Sequence, residues 1–223
     1  MAHPFHHSLS SVRSFGGQVS DYIEIHSWLD STKELYANFR HRALRHHNEG
    51  AAHCEKFFGQ TIVNSDKEIV RVHNITLQHI EEDCERSVSA VDWLTNMKAP
   101  RWFVANSFPS KSNSLEYLLK RFGNEHAGSI GKLLDFFYGF ENMVDSPLWM
   151  ALRSNSHGIY EAEKLCGYTF TNDNNNASSV PIRYAAEELI RFQLNRIPSA
   201  QDWLSHIESK PWMIRTKKII HTL

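Results

Sequence analysis

The sequence predicts a mainly α protein made of two pseudo-repeated helical domains, each carrying a short β-hairpin. Three observations lead there. The chain resembles itself over most of its length, its apolar residues recur at helical spacing, and each half holds one short run of strand-forming residues around a polar turn. A chain of 223 residues can form one large domain or two of ordinary size. The repeat selects the second.

Two gapless stretches define the repeat. "HRALRHHNEGAAHCEKFFGQTI" (His41 to Ile62) aligns 108 positions later with "WMALRSNSHGIYEAEKLCGYTF" (Trp149 to Phe170), matching Ala43-Leu44-Arg45 to Ala151-Leu152-Arg153, Gly50 to Gly158 and Gly59 to Gly167. "SAVDWLTNMKAPRWF" (Ser89 to Phe103) meets "SAQDWLSHIESKPWM" (Ser199 to Met213) at an offset of 110. The Asn-rich stretch "TNDNNNASS" (Thr171 to Ser179), a loop by composition, accounts for the two added residues. Upstream, Phe15-Gly16 pairs with Phe122-Gly123 at 107. "NSFPSKSNS" (Asn106 to Ser114) has linker composition, so the expected domains are 1–105, rich in histidine, and 106–223, a degenerate structural copy.

The elements follow in order. Leu9 to Phe15 predicts a short helix, and Asp21 to Gly59 carries helical periodicity with a break near Asp30-Ser31, a good N-cap site. "TIV" and "IVRV" around "NSDKE" predict a hairpin over Thr61 to Val72. Helices are expected at Ile75 to Glu85 and Ser89 to Met97, the latter capped by Ser89 with Asp92 three residues on. The second copy repeats them at Ile182 to Asn195 and Ser199 to Ile207, with Pro198 marking the break. The aromatic run "DFFYGF" (Asp135 to Phe140) reads as core or as a contact between the copies.

Composition narrows the function classes. With 41% hydrophobic and 12% aromatic residues the chain can bury a sizeable core without staples. A net charge of −1 creates no field that would gather nucleic acid, and the tail "RTKKIIHTL" reads as a solvated end, so nucleic acid is not an expected partner. Cys54, Cys84 and Cys166 are odd in number and widely spaced, which points to free thiols in a reducing compartment. The start "MAHPFHHSLSS" lacks the pattern of a secretory signal and no segment approaches 18 apolar residues, so no membrane association is expected and the expected location is the cytoplasm of a bacterial host or an infected cell. The expected partners are the other copy within the chain and a second copy of the chain in a homo-oligomer. No Gly-rich phosphate loop or Gly-x-Ser-x-Gly elbow is present.

The repeat supplies an internal comparison. The scaffold residues recur and the histidines do not. His41 aligns with Trp149, His46 and His47 with Ser154 and Asn155, and His79, Glu82 and Asp83 with Leu189, Phe192 and Gln193. His3, His6 and His7 align with Ser110, Asn113 and Ser114, and ten of the fourteen histidines lie in the first 105 residues. Residues four apart share a helix face. His26 with Asp30, and His79 with Asp83, have that spacing, and His46 with Glu49 is three apart. Neutral imidazole with carboxylate suits a divalent metal such as Zn, Fe, Mn or Ni. His46, His79 and Asp83 are the leading ligands, with His41, His47, His7, His26 and Asp30 next, and Glu49 and Glu82 are candidate general bases. A metal-dependent phosphohydrolase of the His-Asp type would want adjacent His and Asp, where this chain has His46-His47. Arg42 and Arg45 are candidates to face an anionic substrate, although Arg45 recurs as Arg153 and so reads as structural.

The ordered motifs "HPFHHSLSS", "DYIEIHSWLDSTK", "RHRALRHHNEG", "FGQTIVNSD", "QHIEED" and "DWL" resemble a small uncharacterised family of His-rich domains in bacterial and phage proteins, over residues 3 to 103. The resemblance implies a compact helical domain with a short hairpin. It also implies a polar signature at His3, His6, His7, His26, Asp30, His41, His46, His47, Glu49, His79, Glu82 and Asp83, and no reaction. Ser87-Val88-Ser89 departs from that family's Ile-Pro-Thr, whereas the second copy has Ile197-Pro198-Ser199. The expected function is divalent-metal binding, with hydrolysis of a phosphoester or nucleotide as its enzymatic form. The competing class is a non-enzymatic structural or interaction protein, such as a phage accessory or virion component.

Overall fold

The computed structural model describes residues 3–104, 108–172 and 177–214. The tail 215–223, residues 173–176 of the Asn-rich loop and the start of the linker lie outside them. The chain is mainly α, with two separate two-stranded antiparallel sheets among the described residues. No helix among the described residues is long and apolar enough to cross a membrane.

Helix α1 spans Pro4–Phe15, longer than the Leu9 to Phe15 that the apolar spacing suggests. His3 starts it early by accepting the Phe5 N–H, and Pro4 sits where its missing N–H costs nothing. Helix α2 (Val19–Asp30) opens on a reciprocal cap between Gln18 and Asp21. The periodicity from Asp21 to Gly59 resolves into several pieces. After α2 come 3₁₀ turns at Ser31–Glu34 and Phe39–Leu44, then α3 (Asn48–Phe58). His46 and His47 thus precede a helix, with His47 as its N-cap, and the stretch "RHRALRHHNEG" is not one continuous helix.

A close approach of backbone enforces that break. A Cβ on Gly50 would stand 2.0 Å from the Arg45 carbonyl oxygen, and one on Gly158 would stand 1.7 Å from that of Arg153. Only glycine fits, which is why both copies have it. Gly59 and Gly167 end their helices at φ of 87° and 99°, again conformations suited to glycine.

The hairpin pairs β1 (Thr61–Val63) with β2 (Ile69–Arg71), Ile62 opposite Val70. Helix α4 (Val72–Cys84) and the short α5 (Ala90–Leu94) follow, the latter with Ser89 and Asp92 in a complete capping box. The second copy gives α6 (Lys111–Phe122), α7 (Ala127–Phe137) and a 3₁₀ turn at Pro147–Leu152. It continues with α8 (Ser156–Cys166), β3 (Thr169–Thr171), β4 (Ala177–Pro181), α9 (Ile182–Leu194), α10 (Ala200–Leu204) and α11 (Pro211–Ile214). Phe136, Phe137, Tyr138 and Phe140 of the aromatic run are buried. All three cysteines are free thiols.

Packing divides the chain into two compact units, and these are not the two sequence copies. One takes everything up to Asn96 together with Ile207 onward; the other runs from Met97 to His206. The division expected at residues 105 and 106 follows the repeat, whereas each unit recruits the segment after the other copy's Asp-Trp-Leu. In the first unit Trp93 meets Trp212 edge-on at 4.8 Å, and Arg86 lies over Trp212 at 4.7 Å. In the second, Trp203 meets Trp102 at 4.7 Å, and Arg196 lies over Trp102, also at 4.7 Å. The four Trp and two Arg occupy matching repeat positions, so the same joint is made twice.

The first unit's core gathers Tyr22, Ile25, Cys54, Val70, Val72 and Ile75, with Phe15, Trp28 and Phe58 packed against it. It fixes the hairpin and the start of α4, and thereby the angle at which the far end of α4 meets α2.

Candidate metal centre

Three chain segments bring their polar residues to one buried point. Asp30 is the last residue of α2, His46 lies in the bend between the 3₁₀ turn and α3, and His79 and Asp83 are one turn apart on α4. One donor atom from each of the four lies within 4.8 Å of all the others. Asp30 is 4% exposed and the other three are 0%.

The spacing fits a cation. His46 Nε2 and His79 Nε2 are 3.0 Å apart; His46 Nε2 is 3.4 Å from Asp83 Oδ2 and 3.7 Å from Asp30 Oδ1. His79 Nε2 is 3.7 Å from Asp30 Oδ1 and 3.9 Å from Asp83 Oδ2. Donors about 2.0–2.2 Å from a tetrahedral ion stand about 3.3–3.6 Å from one another. Among the described residues neither carboxylate accepts a well-aligned hydrogen bond. Buried acceptors left in that condition are costly unless something positive lies among them.

Charge at the site is partly balanced by two cations that the sequence reading did not place there. Lys33 Nζ is 2.6 Å from Asp30 Oδ2, and the fully buried Arg42 is 3.0 Å from Asp83 Oδ2. Arg42 also donates to the Asp83 carbonyl at 2.7 Å and to that of Met213 at 3.1 Å. It faces no open space, so it does not serve as a substrate anchor. Its alignment with Met150 was the available clue, since the charge vanishes from the second copy together with the histidines. Arg45 donates to the Trp28 carbonyl and lies 4.0 Å over the Trp28 ring, a structural role that Arg153 repeats over Phe136.

Protonation suits metal ligation. Burial, reinforced by repulsion from His7, pushes His79 down to about 3. Burial together with repulsion from His46 takes His41 to about 2, and burial also holds His26 well below its ordinary value. Burial alone would raise Asp30 and Asp83, but contacts from His46, with His79 and Arg42 adding to them, outweigh it and hold both carboxyls below their usual range. Neutral imidazoles beside ionised carboxylates are what a divalent cation binds.

The other candidates fall into an outer ring. His26, on the same face of α2 as Asp30, contacts His79 at 3.0 Å between their Nδ1 atoms, and Ser11 Oγ lies 2.9 Å from its Nε2. His7 sits 2.6 Å from Glu82 through Nδ1 and 3.6 Å from Asp83 Oδ1 through Nε2. His41 is tied to Thr32 at 2.9 Å and meets the His46 ring edge-on. His47 accepts the Gly50 N–H as the cap of α3. Glu49 accepts the Ala90 N–H at 2.8 Å; burial raises its carboxyl, but the contacts to His47 and Ala90 bring it to about 2. Glu49 therefore joins α3 to α5, and Glu82 touches the four donors only through intermediates, with His7 the nearest.

The second unit shows what these positions become without such donors. The matching residues are Tyr138, Ser154, Leu189 and Gln193. Ser154 donates to Gln193 at 3.2 Å, the Tyr138 hydroxyl bonds to Ser114 at 2.6 Å, and Leu189 is fully buried. There, neither a carboxylate nor an imidazole remains among the four. The surrounding frame is unchanged, since Trp93 donates to the His46 carbonyl at 3.0 Å and Trp203 to that of Ser154 at 3.1 Å.

No curated protein and no solved structure matches the chain. The sequence profile of one family, described as "Domain of unknown function (DUF6915)", matches residues 2–103 and again 116–213. The chain belongs to that family and carries its domain twice in tandem.

Proposed function

We propose that the first unit is a divalent-metal-binding domain in which Asp30, His46, His79 and Asp83 hold one ion, with Zn, Mn and Fe as the ions that suit two imidazoles and two carboxylates. The observation that carries this reading is the convergence of four buried donors from three segments, set against a second unit that has an apolar residue, hydroxyls and an amide at the equivalent positions and no carboxylate or imidazole. The four protein donors complete a tetrahedral set and are 0–4% exposed, which favours a closed, structural ion over a catalytic one with an open position. The domain then belongs with structural or interaction proteins. Hydrolysis of a phosphoester, with Glu82 as base, would need one donor to give way to water.

Elemental analysis tests the reading. Full-length protein reconstituted with Zn²⁺ and desalted is expected to retain about one ion per chain, and His46→Ala and His79→Ala to retain none. Wild type that retains no Zn²⁺, Mn²⁺ or Fe²⁺ would overturn it. Chelator-sensitive turnover of a simple phosphoester would move the assignment to the hydrolytic form.

A further inference from the structure

The hydrogen bonds that lead outward from His79 have a direction, and a carboxylate at their far end sets it. Glu82 can only accept. Gln78 therefore gives its Nε2–H to Glu82 Oε1 at 3.2 Å, which turns its own Oε1 toward Ser11 Oγ at 3.0 Å. Ser11 has one proton and donates it to Gln78, so its oxygen accepts from His26 Nε2 at 2.9 Å. A neutral His26 with its proton on Nε2 presents a lone pair at Nδ1. That atom is 3.0 Å from His79 Nδ1, which must then carry the proton of His79. Nε2 of His79 is left as a lone pair, facing His46, Asp30 and Asp83.

The reverse polarity fails at the other end. Ser11 donating inward would set its lone pair against Gln78 Oε1, and turning Gln78 over would set its carbonyl against the Glu82 carboxylate. Each leaves facing acceptors without a proton between them, a loss of the kind that disfavours a buried arrangement strongly.

We propose that His26 is a positioning residue which, held by Ser11, Gln78 and Glu82, fixes His79 as the Nδ1–H tautomer and aims its Nε2 lone pair at the cation. The proposal rests on the metal-binding reading above. An outer partner of this kind fixes ring orientation and raises the basicity of a ligating imidazole. His46 lacks one: its Nδ1 is buried and makes no hydrogen bond among the described residues. The second copy loses the whole chain of bonds together with the ligand. Ser11, His26, Gln78, His79 and Glu82 align there with Leu118, Leu134, Glu188, Leu189 and Phe192.

Two measurements on the full-length protein test this. In metal-free protein with ¹⁵N-labelled histidine, the resonance that disappears in His79→Gln is expected to show an unprotonated Nε2 and a protonated Nδ1. In chelator competition with Zn²⁺, His26→Leu is expected to keep one ion but bind it about 10–100-fold more weakly, with His26→Gln, whose carbonyl can accept from His79, recovering part of the loss. A protonated Nε2 on His79 in metal-free wild type overturns the proposal, and because it uses wild type it stands even where a His26 variant does not fold. Wild type that binds Zn²⁺ while His26→Leu binds it equally well overturns the role of His26 alone. Wild type that takes up no Zn²⁺ overturns the metal-binding reading itself.

Discussion

At the position of Asp83 the two units solve one packing problem in different ways. The first buries a carboxylate against Arg42, and the second buries Gln193 at the position of Asp83 and Met150 at that of Arg42. Removing one partner of a buried ion pair strands the other, at a cost of about 3–5 kcal/mol, whereas removing both is far milder. Asp83→Gln is therefore expected to lower urea stability by about that amount in the presence of chelator, and Arg42→Met with Asp83→Gln, copied from the second unit, to recover much of it. A single variant as stable as wild type would show that the pair contributes nothing.

Acid sensitivity also belongs to single residues. His79 and His41 titrate near 3 and 2 in the folded chain, mainly through burial, against about 6.5 when unfolded. The unfolded state thus takes up protons first as pH falls. Their stabilisation is complete above about pH 6.5 and drains away toward pH 3, by about 1.4 kcal/mol per pH unit for each group. Asp30 and Asp83, also depressed, add a loss of the same sign only below about pH 4. A urea midpoint unchanged between pH 8 and pH 5 in metal-free protein would contradict this account.

At the scale of elements, α4 was readable in advance and the approach to α3 was not. His79 and Asp83 share a face because they are four apart on a regular helix, and spacing alone gives that. His46 points at them because the chain leaves helical geometry at Arg45, with φ of −140°, and re-enters at Asn48. At that bend the Arg45 carbonyl occupies the space a Cβ on residue 50 would need, so the bend requires glycine there. Gly50→Ala is expected to cost roughly 2–3 kcal/mol and to weaken Zn²⁺ binding, since the added carbon displaces the segment that carries His46. Gly158→Ala should cost a similar amount in its own unit and leave Zn²⁺ affinity intact. Equal effects of the two on Zn²⁺ would refute the link between this turn and the site.

At the scale of the whole molecule, the first unit is completed by residues from the end of the chain. Trp212 packs on Trp93, whose indole holds the His46 carbonyl, while the Met213 carbonyl holds Arg42 and through it Asp83. The site in the first copy therefore depends on a segment that the second copy supplies. Trp212→Ala is expected to lower stability by roughly 2 kcal/mol and to weaken Zn²⁺ binding, although Trp212 is more than 120 residues from the nearest donor in sequence. A thermal shift with no change in affinity would confine the segment to a packing role.

The sequence by itself determined the fold class, the two copies, the hairpins, the caps at Ser89 and Ser199, and the separation of scaffold from histidines. All of these are local patterns or internal comparisons, which need no knowledge of distant contacts. It also named His46, His79 and Asp83, because residues lost between copies are visible in one dimension, and Asp30, because it stands four residues after His26. Only the tertiary structure decided which of the eight metal candidates meet. Depth and direction sorted them, turning His47 into a cap and Glu49 into a tie between helices, and setting His26 behind His79. Likewise, the exchange of the segments after the two Asp-Trp-Leu motifs left no mark in a repeat whose halves are nearly equivalent at that joint, since Trp102 and Trp212 make the same edge-on contact with Trp203 and Trp93.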